Sequence, residues 1–189
     1  MKRPLVFLFG IFLLWSGLMP CRAVAENIKH SEYENVRFSK PPSKAALDDL
    51  GLTEDQKTFD LSQIQAPVVV VEVFNTDCPH CKGEVRHINE LYDLIQQKGL
   101  ADKVKLIGIG VRDSDSELSV YQKKYGVKYP LIADPDSQIY YIVGSAPIPC
   151  LFVMLRDAQG YMKKVYTKSR ESRNGSAILD SILKVIKFN

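Results

Sequence analysis

The sequence has few cysteines and no large surplus of either charge. Its four cysteines are Cys21, Cys78, Cys81 and Cys150. One close pair and scattered single cysteines cannot form the framework of crosslinks that holds small secreted domains together. The 189 residues carry a net charge of +3, from 25 basic and 22 acidic residues. This balance gives no indication of binding to nucleic acid or to a membrane surface.

The N-terminal apolar run, Leu5 to Met19, is shorter than the roughly 20 residues that a transmembrane helix needs. Two basic residues precede the run, and the small-residue triplet 23–25 follows it. This pattern predicts a signal peptide over residues 1–25 and a mature, exported chain that starts at Glu26. Two alternatives remain open: an uncleaved anchor, and a lipid-modified N-terminus at Cys21.

The predicted mature chain keeps 164 of the 189 residues, which is enough for one domain with a sizeable core. The signal segment carries three of the 25 basic residues and no acid, so 22 basic residues balance 22 acidic ones in the remainder. Residues 26–58 are predicted to be a polar lead-in. We find no internal repeat and no low-complexity run.

A buried strand, a close pair of cysteines and the start of a helix follow one another within residues 67–85. The apolar run over 67–74 predicts a strand buried on both faces, as in a parallel sheet. After Cys81 the apolar residues recur at helical spacing, which predicts a helix over 79–98. Cys78 would then lie at the helix N-terminus, where free N–H groups and the helix dipole favour its thiolate, the reactive form.

This segment resembles the active site of thioredoxin-fold thiol–disulfide oxidoreductases. The tetrapeptide Cys78-Pro79-His80-Cys81 is similar to that of the periplasmic oxidase DsbA, and Glu72 stands where the family has a buried acid. Independently of the cysteines, residues 121–135 resemble the inserted helix and strand of the TlpA/redoxin (AhpC/TSA-like) branch. The chain is too short to hold the helical insertion of DsbA itself.

The resemblance implies an α/β thioredoxin fold over residues 59–189, with a central mixed β-sheet flanked by helices and the redoxin-type strand–helix insertion. The pattern along the chain agrees, because predicted strands alternate with helices and a late hairpin adds an antiparallel strand. Strands are predicted at 59–64 (with a turn), 67–74, 104–111, 129–135, 150–155 and 161–166. Helices are predicted at 45–50, 79–98, 114–125, 138–143 and 177–187.

The resemblance also implies roles for the residues around the tetrapeptide. Cys78 would form a mixed disulfide with a protein partner, and Cys81 would resolve it. His80, as a cation, would stabilise the Cys78 thiolate, and Pro79 suits the first position of the helix. Burial would raise the pKa of Glu72 toward neutrality, so that it could take and return the proton of Cys81 through a water.

A second segment, Ile148-Pro149, is implied to dock the partner's extended chain, because the family has an apolar residue and a cis-proline here. Pro147 is an extra proline, and Cys150 stands where the family often has threonine. Cys150 is interpreted as a small core residue. A third redox-active thiol beside the active site is the alternative.

Other functions for the cysteine pair have weaker support in the sequence. A zinc site needs further ligands, and haem attachment needs a histidine where Lys82 stands. A peroxiredoxin would have proline and threonine where Val71 and Asn75 stand. A copper carrier that uses the two cysteines and a histidine remains an alternative. The resemblance implies neither a metal nor an organic cofactor.

The sequence therefore predicts an exported, periplasmic thiol–disulfide oxidoreductase. The resemblance implies protein thiols and disulfides as partners, among them a membrane redox partner, and a monomeric protein; the TlpA-like branch is associated with haem-protein and oxidase assembly. The direction of electron flow stays open. His80 favours an oxidant because it stabilises the reduced thiolate, whereas Asp77, directly before Cys78, favours a reductant.

Overall fold

The computed structural model describes residues 36–169 and 174–187, so the predicted signal peptide and mature N-terminus lie outside the described residues. The strands are β1 (Phe38–Ser39), β2 (Thr58–Phe59), β3 (Val68–Phe74), β4 (Val104–Val111), β5 (Leu131–Asp134), β6 (Cys150–Arg156) and β7 (Met162–Ser169). The helices are α1 (Lys44–Leu50), α2 (Pro79–Gln97), α3 (Asp115–Tyr125), α4 (Gln138–Ile142) and α5 (Gly175–Lys187), with a short 3-10 helix at Leu61–Gln63.

Five of the strands form one mixed sheet in the order β5-β4-β3-β6-β7. β3, β4 and β5 run parallel, and β6 and β7 add the antiparallel hairpin. Helices α2, α3 and α5 contribute to the apolar core on one face, and α1 and α4 to the core on the other. This arrangement confirms the predicted thioredoxin fold with its inserted α3 and β5.

The central strand β3 is buried along its whole length, as its valine-rich sequence predicts. Its side chains alternate between the two cores: Val70 and Phe74 pack on the side of α2, whereas Val71 and Val73 pack on the opposite side. Each buried valine contributes about 1.5–3 kcal/mol through loss of contact with water. Glu72 is placed by the same alternation on the side of α2.

Helix α2 begins directly after β3, and Cys78 is its N-cap. Pro79 occupies the first turn, where the missing N–H has no partner in any case. The helix buries one face against the sheet through Cys81, Glu84, Val85, Ile88, Leu91 and Ile95. Gly99 adopts a left-handed conformation, with φ of 63°, and ends the helix. The predicted helix is therefore confirmed at both ends.

The described part of the predicted polar lead-in, residues 36–58, belongs to the packed domain. Phe38 of β1 pairs with Phe59 of β2, their ring centroids are 5.8 Å apart, and both side chains are buried. Leu47 and Leu50 of α1 join the same core. The domain thus begins before residue 59, because a few well-spaced apolar residues are enough to bury an otherwise polar segment.

Candidate active site

The two cysteines of the tetrapeptide differ in exposure. Cys78 is half-buried at the N-terminus of α2, whereas Cys81, one turn later, has no exposed surface. Both are free thiols. The backbone N–H of Cys81 donates a hydrogen bond to Sγ of Cys78 at 3.4 Å. Cys78 is therefore the thiol of the pair that a partner can reach, and its sulfur lies at the N-terminus of the helix.

Cys81 is held as a protonated thiol. Burial raises its pKa well above the usual range, and so do its hydrogen bond with Cys78 and the charges of Cys78 and Glu72; a backbone hydrogen bond from Asn75 acts the other way. A thiol in this state reacts slowly until a base removes its proton. For Cys81 to react, a group close to it would therefore have to accept its proton.

Glu72 is a buried carboxyl on the same side of the sheet, and only 3% of its surface is exposed. Burial raises its pKa to about 7, the hydrogen bond from Tyr129 lowers it, and the charge of Glu84 raises it. Among the described residues, no cation forms a salt bridge with it. A carboxyl that titrates near pH 7 can both accept and return a proton under physiological conditions.

The loop between β3 and Cys78 is fixed by Asp113, a residue that the sequence analysis did not select. The carboxyl of Asp113 accepts hydrogen bonds from the Thr76 backbone N–H (2.9 Å), the Thr76 hydroxyl (2.7 Å) and the Asn75 side-chain amide (3.2 Å). Asn75 also donates to the backbone carbonyl of Val111 at 2.8 Å. These bonds tie the approach to Cys78 to the end of β4.

Two glycines in β4 mark where polar side chains cover the sheet. A Cβ on Gly108 would lie 3.0 Å from the Tyr129 ring, and one on Gly110 would lie 2.8 Å from Oδ2 of Asp113. Glycine inside a buried strand indicates that other groups approach the backbone closely. The alternate glycines were thus the sequence signal that could have located both Tyr129 and Asp113.

Ile148 and Pro149 reach the same end of the sheet as the cysteines. Their peptide bond is cis, Pro149 is buried and Ile148 is half-buried. Because Val73 is paired with Cys150 in the antiparallel ladder, the residues just before Cys150 lie beside the end of β3. Ile148 also packs against the core that contains Cys81. His80 is exposed between the two cysteines.

Cys150 is buried in the core on the opposite side of the sheet from Cys81. Burial raises the pKa of its thiol to about 11; the charge of Glu72 also raises it, and Lys164 lowers it. The sheet therefore lies between this thiol and the Cys81 thiol, which supports the interpretation of Cys150 as a core residue.

The described ranges, 36–169 and 174–187, contain neither a candidate metal site nor a candidate membrane-spanning helix. No cluster of three or more His, Cys, Asp or Glu side chains there could hold a metal ion. No helix in those ranges is both long and apolar enough to cross a membrane.

A family model described as the AhpC/TSA family matches residues 42–164. The chain belongs to this family. Among curated relatives, the thiol–disulfide oxidoreductase ResA of Bacillus anthracis is 24% identical over 177 residues, which cover 92% of this chain and 95% of the relative.

Solved structures agree on the fold. StoA from Bacillus subtilis has a TM-score of 0.53 and 16% identity, covering 68% of this chain and 90% of StoA. A secreted Mycobacterium tuberculosis disulfide oxidoreductase, described as homologous to E. coli DsbE, has a TM-score of 0.55 and 14% identity, covering 82% of this chain and 98% of that protein. The solved structures show the fold; the family match and the curated relatives, together with the free thiols of the tetrapeptide at the helix N-terminus, identify the chain as a thiol–disulfide oxidoreductase.

Proposed function

We propose that this chain exchanges disulfides with protein partners through Cys78 and Cys81. The observation that carries the proposal is that two thiols within one helical turn differ in exposure and protonation. Cys78 is half-exposed and its sulfur accepts a backbone N–H, whereas Cys81 is fully buried and stays protonated. The first thiol can meet a partner, and the second can act only on the first.

The reaction consists of two exchanges. In the first, the Cys78 thiolate attacks a partner disulfide, an S–S bond forms between Cys78 and the partner, and the partner's second sulfur leaves as a thiolate. In the second, Cys81 attacks Sγ of Cys78, the bond to the partner breaks, and that sulfur leaves with the electron pair. The partner disulfide is reduced by two electrons and the Cys78–Cys81 pair is oxidised; the reverse sequence oxidises a partner dithiol.

Glu72 is proposed as the proton acceptor for the second exchange, through an intervening water. Its pKa of about 7 leaves a large fraction of the carboxyl ionised at neutral pH. The negative charge of Glu72 also raises the pKa of the Cys81 thiol, so the two groups interact. When Cys81 attacks, its proton would pass to the Glu72 carboxylate; when the disulfide is reduced again, the proton would return.

The partner is proposed to lie against Ile148 and Pro149 as an extended segment. The proposal is supported by Ile148, which is half-buried beside the end of β3 and packs against the core that contains Cys81. His80 would assist as a cation by stabilising the thiolate. We further propose that the protein is exported, with a signal peptide over residues 1–25, and acts as a monomer with a redox partner in the membrane.

Trapping of mixed disulfides tests the proposal. Cys81→Ser should accumulate a Cys78-linked adduct with a peptide that carries one disulfide, because the second exchange is blocked. Cys78→Ser is the matched control and should accumulate none. Mass spectrometry after an acid quench measures both. Equal trapping by the two variants, or none by either, would contradict the assignment of Cys78 as the entry thiol.

A further inference from the structure

Tyr129 is a fully buried tyrosine whose hydroxyl donates a hydrogen bond to Oε2 of Glu72 at 2.6 Å. It lies just before β5, two strands away from Glu72 in the sheet order. This is the one side-chain hydrogen bond that acts on the Glu72 carboxyl among the described residues. A buried hydroxyl could find a partner more locally, so its reach across β4 needs an explanation.

Gly108 provides that explanation. In the parallel ladder Gly108 lies directly opposite Glu72, between the carboxyl and β5. A Cβ at this position would stand 3.0 Å from Cε2 of Tyr129 and 2.7 Å from Cδ2 of Leu131. The missing side chain therefore leaves the gap through which the tyrosine ring passes over β4 to meet the acid. Glycine at this buried strand position is therefore needed for the Tyr129 ring to pass over β4 and reach Glu72.

We propose that Tyr129 is a positioning residue for Glu72. Its hydroxyl fixes the carboxyl in the orientation from which a proton is exchanged with Cys81, and Gly108 provides the space. The inference rests on the proposed role of Glu72. Because the hydroxyl donates to the ionised carboxyl, it also favours the carboxylate, which is the form that can accept the proton.

Other ionisable groups on the neighbouring elements interact electrostatically with Glu72, and they influence any pH effect. Glu84 of α2 raises the Glu72 pKa. The charge of Glu72 in turn raises the pKa of Cys81 on α2, Tyr121 on α3 and Cys150 on β6. None of these groups is a cation, and within the described residues the hydrogen bond from the Tyr129 hydroxyl is the contact that lowers the Glu72 pKa.

The test is the pH dependence of mixed-disulfide resolution in Tyr129→Phe. The reduced protein is mixed with a peptide that carries one disulfide, and conversion of the mixed disulfide to the Cys78–Cys81 disulfide is followed by acid quench and mass spectrometry. Loss of a hydrogen bond to a charged group should raise the midpoint of the pH profile by about one unit and slow resolution near pH 7 about fivefold, because the ionised fraction of Glu72 falls by that factor. An unchanged profile would overturn the inference.

Tyr121→Phe is the matched control. It removes a hydroxyl from another buried tyrosine of the same core. The charge of Glu72 raises the pKa of Tyr121, but the Tyr121 hydroxyl donates no hydrogen bond to Glu72. Its profile should stay at the wild-type midpoint. A shift equal to that of Tyr129→Phe would mean that general packing, and not the hydrogen bond, sets the midpoint.

A double variant separates this inference from the proposed function. Tyr129→Phe combined with Glu72→Gln should resolve at the same rate as Glu72→Gln alone, because the tyrosine acts through the carboxyl. An additional slowing would contradict the positioning role. If Glu72→Gln alone leaves the rate unchanged, the proposed role of Glu72 fails. If Glu72→Gln slows resolution and Tyr129→Phe does not, only the inference fails.

Discussion

The two faces of the central sheet differ in the ionisable groups that they bury. The face under α2 buries several ionisable groups against one apolar core, among them Glu72, Tyr129 and Cys81. The face under α1 and α4 packs a cluster of aliphatic and aromatic side chains that includes Cys150, with the carboxyl of Asp134 hydrogen-bonded at the start of α4. Adjacent residues of one strand, Glu72 and Val73, therefore meet opposite environments.

The difference shows that the buried carboxyl of Glu72 lowers the stability of the fold, and that its proposed role in proton transfer is the reason it is kept. A buried carboxyl without a cation costs free energy whenever it is ionised, and an apolar residue at the same site would not. On the opposite face the buried carboxyl of Asp134 accepts hydrogen bonds from the backbone N–H groups of Gln138 and Ile139, which offset the cost of its burial. Substitutions that treat the two faces alike should therefore have unlike consequences, which the following variants measure.

The largest effect is expected from Glu72→Gln. The unfolded carboxyl ionises near pH 4.5 and the folded one near 7, so between these values the folded chain keeps a proton that the unfolded chain loses. The wild type should therefore lose about 3 kcal/mol of unfolding free energy, relative to the variant, between about pH 4.5 and 8. Resolution of the mixed disulfide should slow about 100-fold near pH 7.

Denaturant unfolding across this pH range measures the first effect, and acid-quench kinetics the second. Asp113 and Asp134, whose pKa values are also raised by burial, are present in both proteins and cancel in the difference. A difference in stability that is constant with pH would show that Glu72 has an ordinary pKa. An unchanged rate would remove it from the site.

A smaller effect with no gain in stability is expected from Asp113→Asn. The substituted amide can accept fewer of the bonds that Thr76 and Asn75 donate, and it places N–H groups against N–H donors. Unfolding free energy should fall by about 1–3 kcal/mol. Hydrogen exchange at the Thr76 amide should accelerate. Asp102→Asn, on an exposed turn, is the control and should change neither measurement. Stabilisation by Asp113→Asn would refute its role as a loop anchor.

The smallest effect is expected from Cys150→Thr, on the face opposite Cys81. Since the sheet lies between this residue and Cys81, the rate of insulin-disulfide exchange should stay within a few-fold of the wild type. A large loss of rate would instead support the alternative of a third redox thiol, and would break the distinction between the two faces.

Much of the fold could be predicted from the sequence because the strands and helices carry strong local patterns. Helix α2 follows from its apolar spacing and from Pro79, and α3 ends at Gly126, as the sequence indicates. Strand β1 was missed because its two residues are held by pairing with β2, which no local pattern reveals. Boundaries moved elsewhere by a few residues, as for β7, which extends to Ser169.

The sequence patterns pointed to the cysteine pair and Glu72 as candidates but gave no sign of the contacts that surround them in the structure. Cys78, Cys81 and Glu72 lie within one short segment, so their spacing is visible in the sequence. Tyr129 and Asp113 come from other strands and meet the segment only through the sheet register. Glu84 was hidden for another reason: it is a charged residue on the buried face of α2, where helical spacing predicts an apolar one.

The most direct test of the account is a redox titration of the purified protein against glutathione, with free thiols alkylated and located by mass spectrometry. The account predicts that Cys78 and Cys81 become protected together, in a two-electron transition with a tenfold change per roughly 30 mV, while Cys150 stays alkylated in every sample. The midpoint would also set the direction of electron flow. A disulfide that includes Cys150, or a Cys78–Cys81 pair that never oxidises between about −270 and −120 mV, would contradict it.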